Sequence, residues 1–238
     1  MKTAHSIAVL PTVLSGVPQP RRHRFPDRTF SALIAGLIAL LFAKLTLADP
    51  AYVQGHYEST LVPRHKMTVV YTDAQQAGDL NVVVVGWRVS VYQLIVVTDT
   101  NNNAYLPAIG QMTWANTVTV KFSSDVTSDV RALEYSGVTV FANGGSAESG
   151  TGDWARSGNV TISKVPALLV AATMVGSGTT VIGPTGGFSQ RLLSPLGDNV
   201  EDRVITALTP PNTYNAGARL SPAGSWLMLM VVFQGSGL

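Results

Sequence analysis

From residue 67 onward the chain repeats one pattern, short apolar runs broken by clusters of Gly, Asn, Asp, Ser and Pro. The runs are MTVVY (67–71), NVVVVGW (81–87), QLIVVTD (93–99), NTVTVKF (116–122), VRALEY (130–135), NVTIS (159–163), ALLVAATMV (167–175), RVITAL (203–208) and WLMLMVVF (226–233). Their β-branched and aromatic side chains suit a pleated, half-buried surface, and the residues between them are those that turns require. The pattern predicts an all-β protein, an antiparallel two-sheet β-sandwich of jelly-roll-like form. No segment carries a long apolar stripe at helical spacing. TDAQQAGDL (72–80) is expected to form one helical turn or a short connecting helix, and the Gly/Ser-rich stretch 141–152 a flexible loop. No internal repeat or Pro/Ser linker is visible, so residues 49–238 are expected to make one domain.

Two runs depart from alternation. NVVVVGW and WLMLMVVF are apolar on both faces, whereas a strand of a two-layer sandwich normally presents one polar face. Their outer faces are expected to be covered by a loop such as 72–80, or to meet another subunit or domain.

Residues 1–48 follow a different pattern. A basic block, RRHRFPDR (21–28), precedes the apolar TFSALIAGLIALLFA (29–43), and KLTLADP then places Thr46 and Ala48 before a cut at Asp49. This order describes a secretory signal peptide; the alternative is an uncleaved signal anchor, although Lys44 interrupts the roughly 20 apolar residues a span needs. Either reading makes the body exported, to the periplasm, the cell surface or the medium. It also relocates the charge. The leader carries six basic residues against Asp27, and the remainder ten basic against thirteen acidic, so the net +2 of the whole chain belongs to the leader. No Lys/Arg stripe in the body suits phosphates, which argues against nucleic acid. The chain has no cysteine, so thiol chemistry, thiolate ligation and disulfides are excluded. A body of about 190 residues is large enough to bury a core without them.

The chemistry on offer is sparse. A Ser-His-Asp site needs a placed histidine, but the body has only His56 and His65, expected in an N-terminal arm. Ser177 and Ser189 both lack a G-x-S-x-G frame, and two histidines nine apart without H-E-x-x-H are poor zinc ligands. Glycoside hydrolysis needs two facing carboxylates. Glu134 has no acidic partner at i±2, and the adjacent Glu201 and Asp202 would point to opposite faces of a strand. No catalytic residue is assigned, and the protein is expected not to be an enzyme. GDNVEDRV (197–204) gathers the densest acids, Asp198, Asn199, Glu201 and Asp202. These are hard oxygen ligands on an expected loop, so structural Ca²⁺ is the candidate metal, in a spacing that is not an EF-hand. The competing expectation is a solvated polar turn, its acids paired with Arg203 or Arg191. Among the aromatics, Trp87 and Trp226 bound strong strands and are expected in the core. Trp114, Trp154 and Tyr214 sit in polar, loop-like surroundings and are the candidate platforms for a sugar ring.

Several stretches, AGDLNVVVVGW, VTDTNNNAY, NTVTVKF, VRALEYSGV, GFSQRLL, GDNVEDRVITA and LSPAGSWLMLMVVF, together resemble a family of exported bacterial β-sandwich domains without known activity. The resemblance spans roughly 51–234 and implies fold and export rather than mechanism. Two departures stand out. Arg88 and Val89 follow Gly86–Trp87 where such domains tend to have Asn-Asp. QMTWA (111–115) stands where they usually carry a further strand, and a sandwich short of one strand is expected to expose neighbouring edges. The reading that follows is an extracellular non-catalytic binding or adhesion module, with polysaccharide as the ligand class. The alternative is a surface subunit that self-associates through strand edges and apolar outer faces, and a carbohydrate-active enzyme comes third.

Overall fold

The computed structural model describes residues 6–10, 48–88, 94–100 and 117–236. Trp114, the shortened 103–116 region and all of the expected leader except 6–10 and Ala48 lie outside these residues. The chain forms an all-β, antiparallel two-sheet sandwich. The first sheet has the order β1 (Ser6–Leu10), β3 (Leu80–Trp87), β5 (Thr117–Ser136), β2 (Ala51–Val70), with β4 (Leu94–Asp99) also on β5. The second has the order β10 (Ser189–Leu193), β11 (Asn199–Ile205), β8 (Ala167–Val175), β13 (Gly217–Gly235), β6 (Val138–Arg156), with β9 (Thr180–Thr185) also on β13. A short ribbon pairs β7 (Val160–Thr161) with β12 (Thr213–Tyr214). Among the described residues no helix is long and apolar enough to cross a membrane.

Period-two alternation sorts the side chains into three clusters. Val82, Val84, Leu133 and Tyr135 of the first sheet meet Leu168, Val170, Val200 and Phe233 of the second, which makes the core between the sheets. The outward face of β3 and of the later half of β5 does not meet solvent. β5 and β2 change register near Val126 and Arg64, and the early half of β5 packs Val118, Val120 and Phe122 onto Val83, Val85, Val130 and Ala132. The outward face of the second sheet, including Met228, Met230 and Val232, is covered in the same way by Val160, Ile162, Phe188 and Leu220. Both two-faced strands are thus covered within the chain. Val82 to Val85 are all fully buried, and each such side chain contributes about 1.5–3 kcal/mol.

Four local expectations are corrected. Residues 72–79 contain no helix; they form a loop that turns at Gly78, with φ +94°. His56 and His65 lie on β2 rather than in an arm. The Gly/Ser-rich 141–152 is not a loop but the middle of β6, paired with β13 along its length. Small residues are needed there because a Cβ on Gly150 would sit 2.8 Å from the Trp226 ring and one on Gly145 2.8 Å from the Met230 carbonyl. The strand expected at 203–208 begins at Asn199, so Glu201 and Asp202 are strand residues and Asp198 stands at the strand's entry; the turn before them is at Gly197, with φ +85°.

Candidate functional site

β11 runs between β8 and β10 with both faces covered, so its acids are buried rather than solvated. Alternation divides them. Asp198 and Asp202 face the first sheet, and Asn199 and Glu201 face the opposite side. Asp198 Oδ1 accepts the Val175 N–H at 2.8 Å and lies beside Asp129 and Arg131 of β5. Arg131 donates from Nη1 to the carbonyls of Asn199 (2.8 Å) and Thr173 (3.3 Å), and its Nε is 3.3 Å from Asp129 Oδ2, which also accepts the Ser194 hydroxyl at 2.8 Å. Burial, with Arg131 opposing it, pushes Asp198 up to about 7. The centre therefore sets the buried Arg131 guanidinium between two acids, Asp129 and Asp198, which limits uncompensated buried charge.

Asp202 pairs with Arg191 Nε at 2.8 Å, as one of the two expected partners, and the Arg191 guanidinium rests 4.6 Å from the Tyr52 ring. Burial and the adjoining Asp202 hold the Tyr135 phenol well above its ordinary value. Arg203 turns elsewhere, donating to the Gly186 carbonyl at 2.6 Å and lying 5.3 Å from the Tyr214 ring. On the far face Asn199 Nδ2 donates to Glu201 Oε2 at 2.7 Å. Burial pushes Glu201 up to about 8, the Asn199 and Gly217 donors offsetting part of it. The four residues proposed as calcium ligands thus divide between two faces of one strand. Among the described residues no group of three or more His, Asp or Glu is gathered as a metal site.

Glu134 has the partner that sequence spacing hides. It is fully buried beneath the 72–79 loop, accepting Gln54 Nε2 at 2.6 Å and the Gln76 N–H at 2.8 Å. Asp79 lies against it, and burial followed by the Glu134 charge pushes Asp79 up to about 6. Gln75, Asn81 and Tyr71 continue this polar knot, which fastens the loop to the outer face of the first sheet. Glu134 and Glu201 therefore occupy outward faces of opposite sheets and share no cleft.

The open site lies at the other edge. On β6, Trp154 and Arg156 share a face while Ala155 between them enters the core. Trp154 is 45% exposed. Arg219, its register partner on β13, places its guanidinium 5.2 Å from the indole ring, and Arg156 lies 6.0 Å from it. Arg156 Nε is 3.4 Å from Glu148 Oε2. Trp154, Arg156 and Glu148 line a cavity of about 210 Å³ with Gly158, Asn159 and Asn215, and Arg219 stands outside that lining, beside the indole. The far wall is tied in place: the Ser157 hydroxyl accepts the Ala216 N–H at 3.0 Å, the Ser157 N–H donates to the Ala216 carbonyl at 3.1 Å, and Asn215 Nδ2 donates to Asn159 Oδ1 at 3.1 Å. Gly158, with φ +79°, forms part of the lining; a Cβ there would come 3.1 Å from Glu148 Oε1. Tyr214 is not part of this lining, since it packs partly buried against the second-sheet core. Trp226 is buried and Trp87 half-buried against Phe122, as expected. Arg156 was legible as the i+2 neighbour of Trp154, but Arg219, Glu148, Asn159 and Asn215 arrive only through strand pairing and the ribbon. No protein-family model, curated protein or solved structure matches the chain.

Proposed function

We propose that the protein is an exported, non-catalytic binding module that holds a surface or matrix polysaccharide against Trp154. The observation that carries the reading is a large, exposed indole set in a cavity whose other walls are hydrogen-bonding side chains. Such a surface presents a flat apolar platform beside Asn, Glu and Arg groups, which matches the apolar faces and hydroxyl edges of a pyranose. The volume, about 210 Å³, is below the roughly 300–1,000 Å³ of typical small-molecule pockets. It suits one ring of a longer chain. Export rests on the leader pattern and on the resemblance to exported sandwich domains. The test is native affinity electrophoresis in gels containing soluble polysaccharides. Retardation by at least one polysaccharide is expected, with loss of most of it in Trp154→Ala while the circular dichroism spectrum is unchanged. Migration unaffected by any polysaccharide, or retardation equal in Trp154→Ala, would overturn the reading.

A further inference from the structure

Resting on that reading, we infer that the ring seated at Trp154 is an anionic sugar, bearing a carboxylate or a sulfate, and that Arg219 is its charge-reading residue. The argument is a count of charges around the indole. Two guanidinium groups flank the ring, and one of them, Arg156, is met by Glu148 at 3.4 Å. Arg219 is exposed and has no carboxylate within ion-pair distance among the described residues. A guanidinium is planar and always charged, and it offers paired donors matched to carboxylate and sulfate oxygens. Beside a platform that holds an apolar face, it selects a ring with an acid group at its rim. Strand alternation sends the nearest other acid in sequence, Asp153, to the side opposite Trp154. The body as a whole carries ten basic and thirteen acidic residues. A polyanion is therefore not drawn to it by bulk charge, and retention of one has to come from a local site.

Glu148 sets the strength of that preference. By neutralising Arg156 it leaves the site one net positive charge rather than two, so its removal is expected to tighten an anionic ligand and to leave a neutral one unchanged. Arg219→Gln is expected to act in the opposite direction, at an exposed position.

The experiment uses the full chain and measures retardation on polygalacturonate, dextran sulfate, unsubstituted dextran and polyglutamate, at low and high salt. The expected result is retention on polygalacturonate or dextran sulfate that weakens about tenfold or more in Arg219→Gln, the loss of one charge-assisted hydrogen bond. It should weaken with salt and strengthen in Glu148→Gln. The stronger of the two acid polymers identifies carboxylate or sulfate as the group read. Retention on dextran that depends on Trp154 but ignores Arg219 and salt overturns the anionic assignment and leaves the polysaccharide reading standing. Equal retention on polyglutamate also overturns it, since the site would then read charge without a ring. No retention on any polymer removes both.

Discussion

Arg131 shows how a single side chain organises the interior. It is fully buried on β5, yet it supplies a hydrogen bond to two carbonyls of the opposite sheet and the counter-charge for Asp129. Removing it strands a carboxylate in the core, and breaking one partner of a buried pair typically costs about 3–5 kcal/mol. Arg131→Met keeps much of the volume and is expected to lower unfolding stability by that order in urea titrations. A loss below about 1 kcal/mol, the level of an exposed pair, would mean that Asp129 is neutralised some other way. VRALEY reads as an ordinary strand because a charged residue on an apolar strand looks the same in sequence whether its face is wet or covered. Only the arrival of β8 and β11 makes Arg131 internal.

At the scale of elements, β6 is the informative strand. Its composition signals a loop, since Gly and Ser normally weaken strands. The packing inverts the signal: Gly150 stands opposite Trp226 in register, and the indole fills the space a side chain would take. Gly150→Val would drive its branched carbon into that ring. Overpacking of this kind costs about 1–3 kcal/mol, which should appear as a lower thermal midpoint and a perturbed Trp226 fluorescence signal. An unchanged midpoint would show that β6 yields rather than Trp226. The same strand carries Trp154 and Arg156 outward.

For the molecule as a whole, burial of acids couples stability to pH. Asp79, Asp198 and Glu201 are raised to about 6, 7 and 8 from ordinary values of 3.8, 3.8 and 4.5. In each case the folded state holds the proton more tightly than the unfolded chain. Their stabilising contribution is full below about pH 4 and is lost progressively as pH rises through these folded values. The thermal midpoint is therefore expected to fall between pH 5 and pH 8. Glu201→Gln, which carries no titrating proton, should show a shallower fall. Parallel curves for the two proteins would assign the slope to other groups. Among the described residues both two-faced strands are covered within the chain, and the polar cavity lies at the rim near Trp154.

The sequence by itself determined the all-β class, the positions of most strands and the burial of Trp226, because these follow from side-chain periodicity and turn residues within short windows. It also determined that Glu201 and Asp202 oppose each other, a consequence of period two that holds on any strand. Tertiary structure decided what covers each face. That buried the acids of GDNVED rather than leaving them on a solvated turn, gave Glu134 its neighbour Asp79 from fifty-five positions earlier, and set Arg219 beside Trp154 across β13 and β6. Burial and long-range pairing depend on which strands meet. In an antiparallel sandwich those partners are far apart in sequence, so no local pattern encodes the charge environment of a given acid or the company of a given tryptophan.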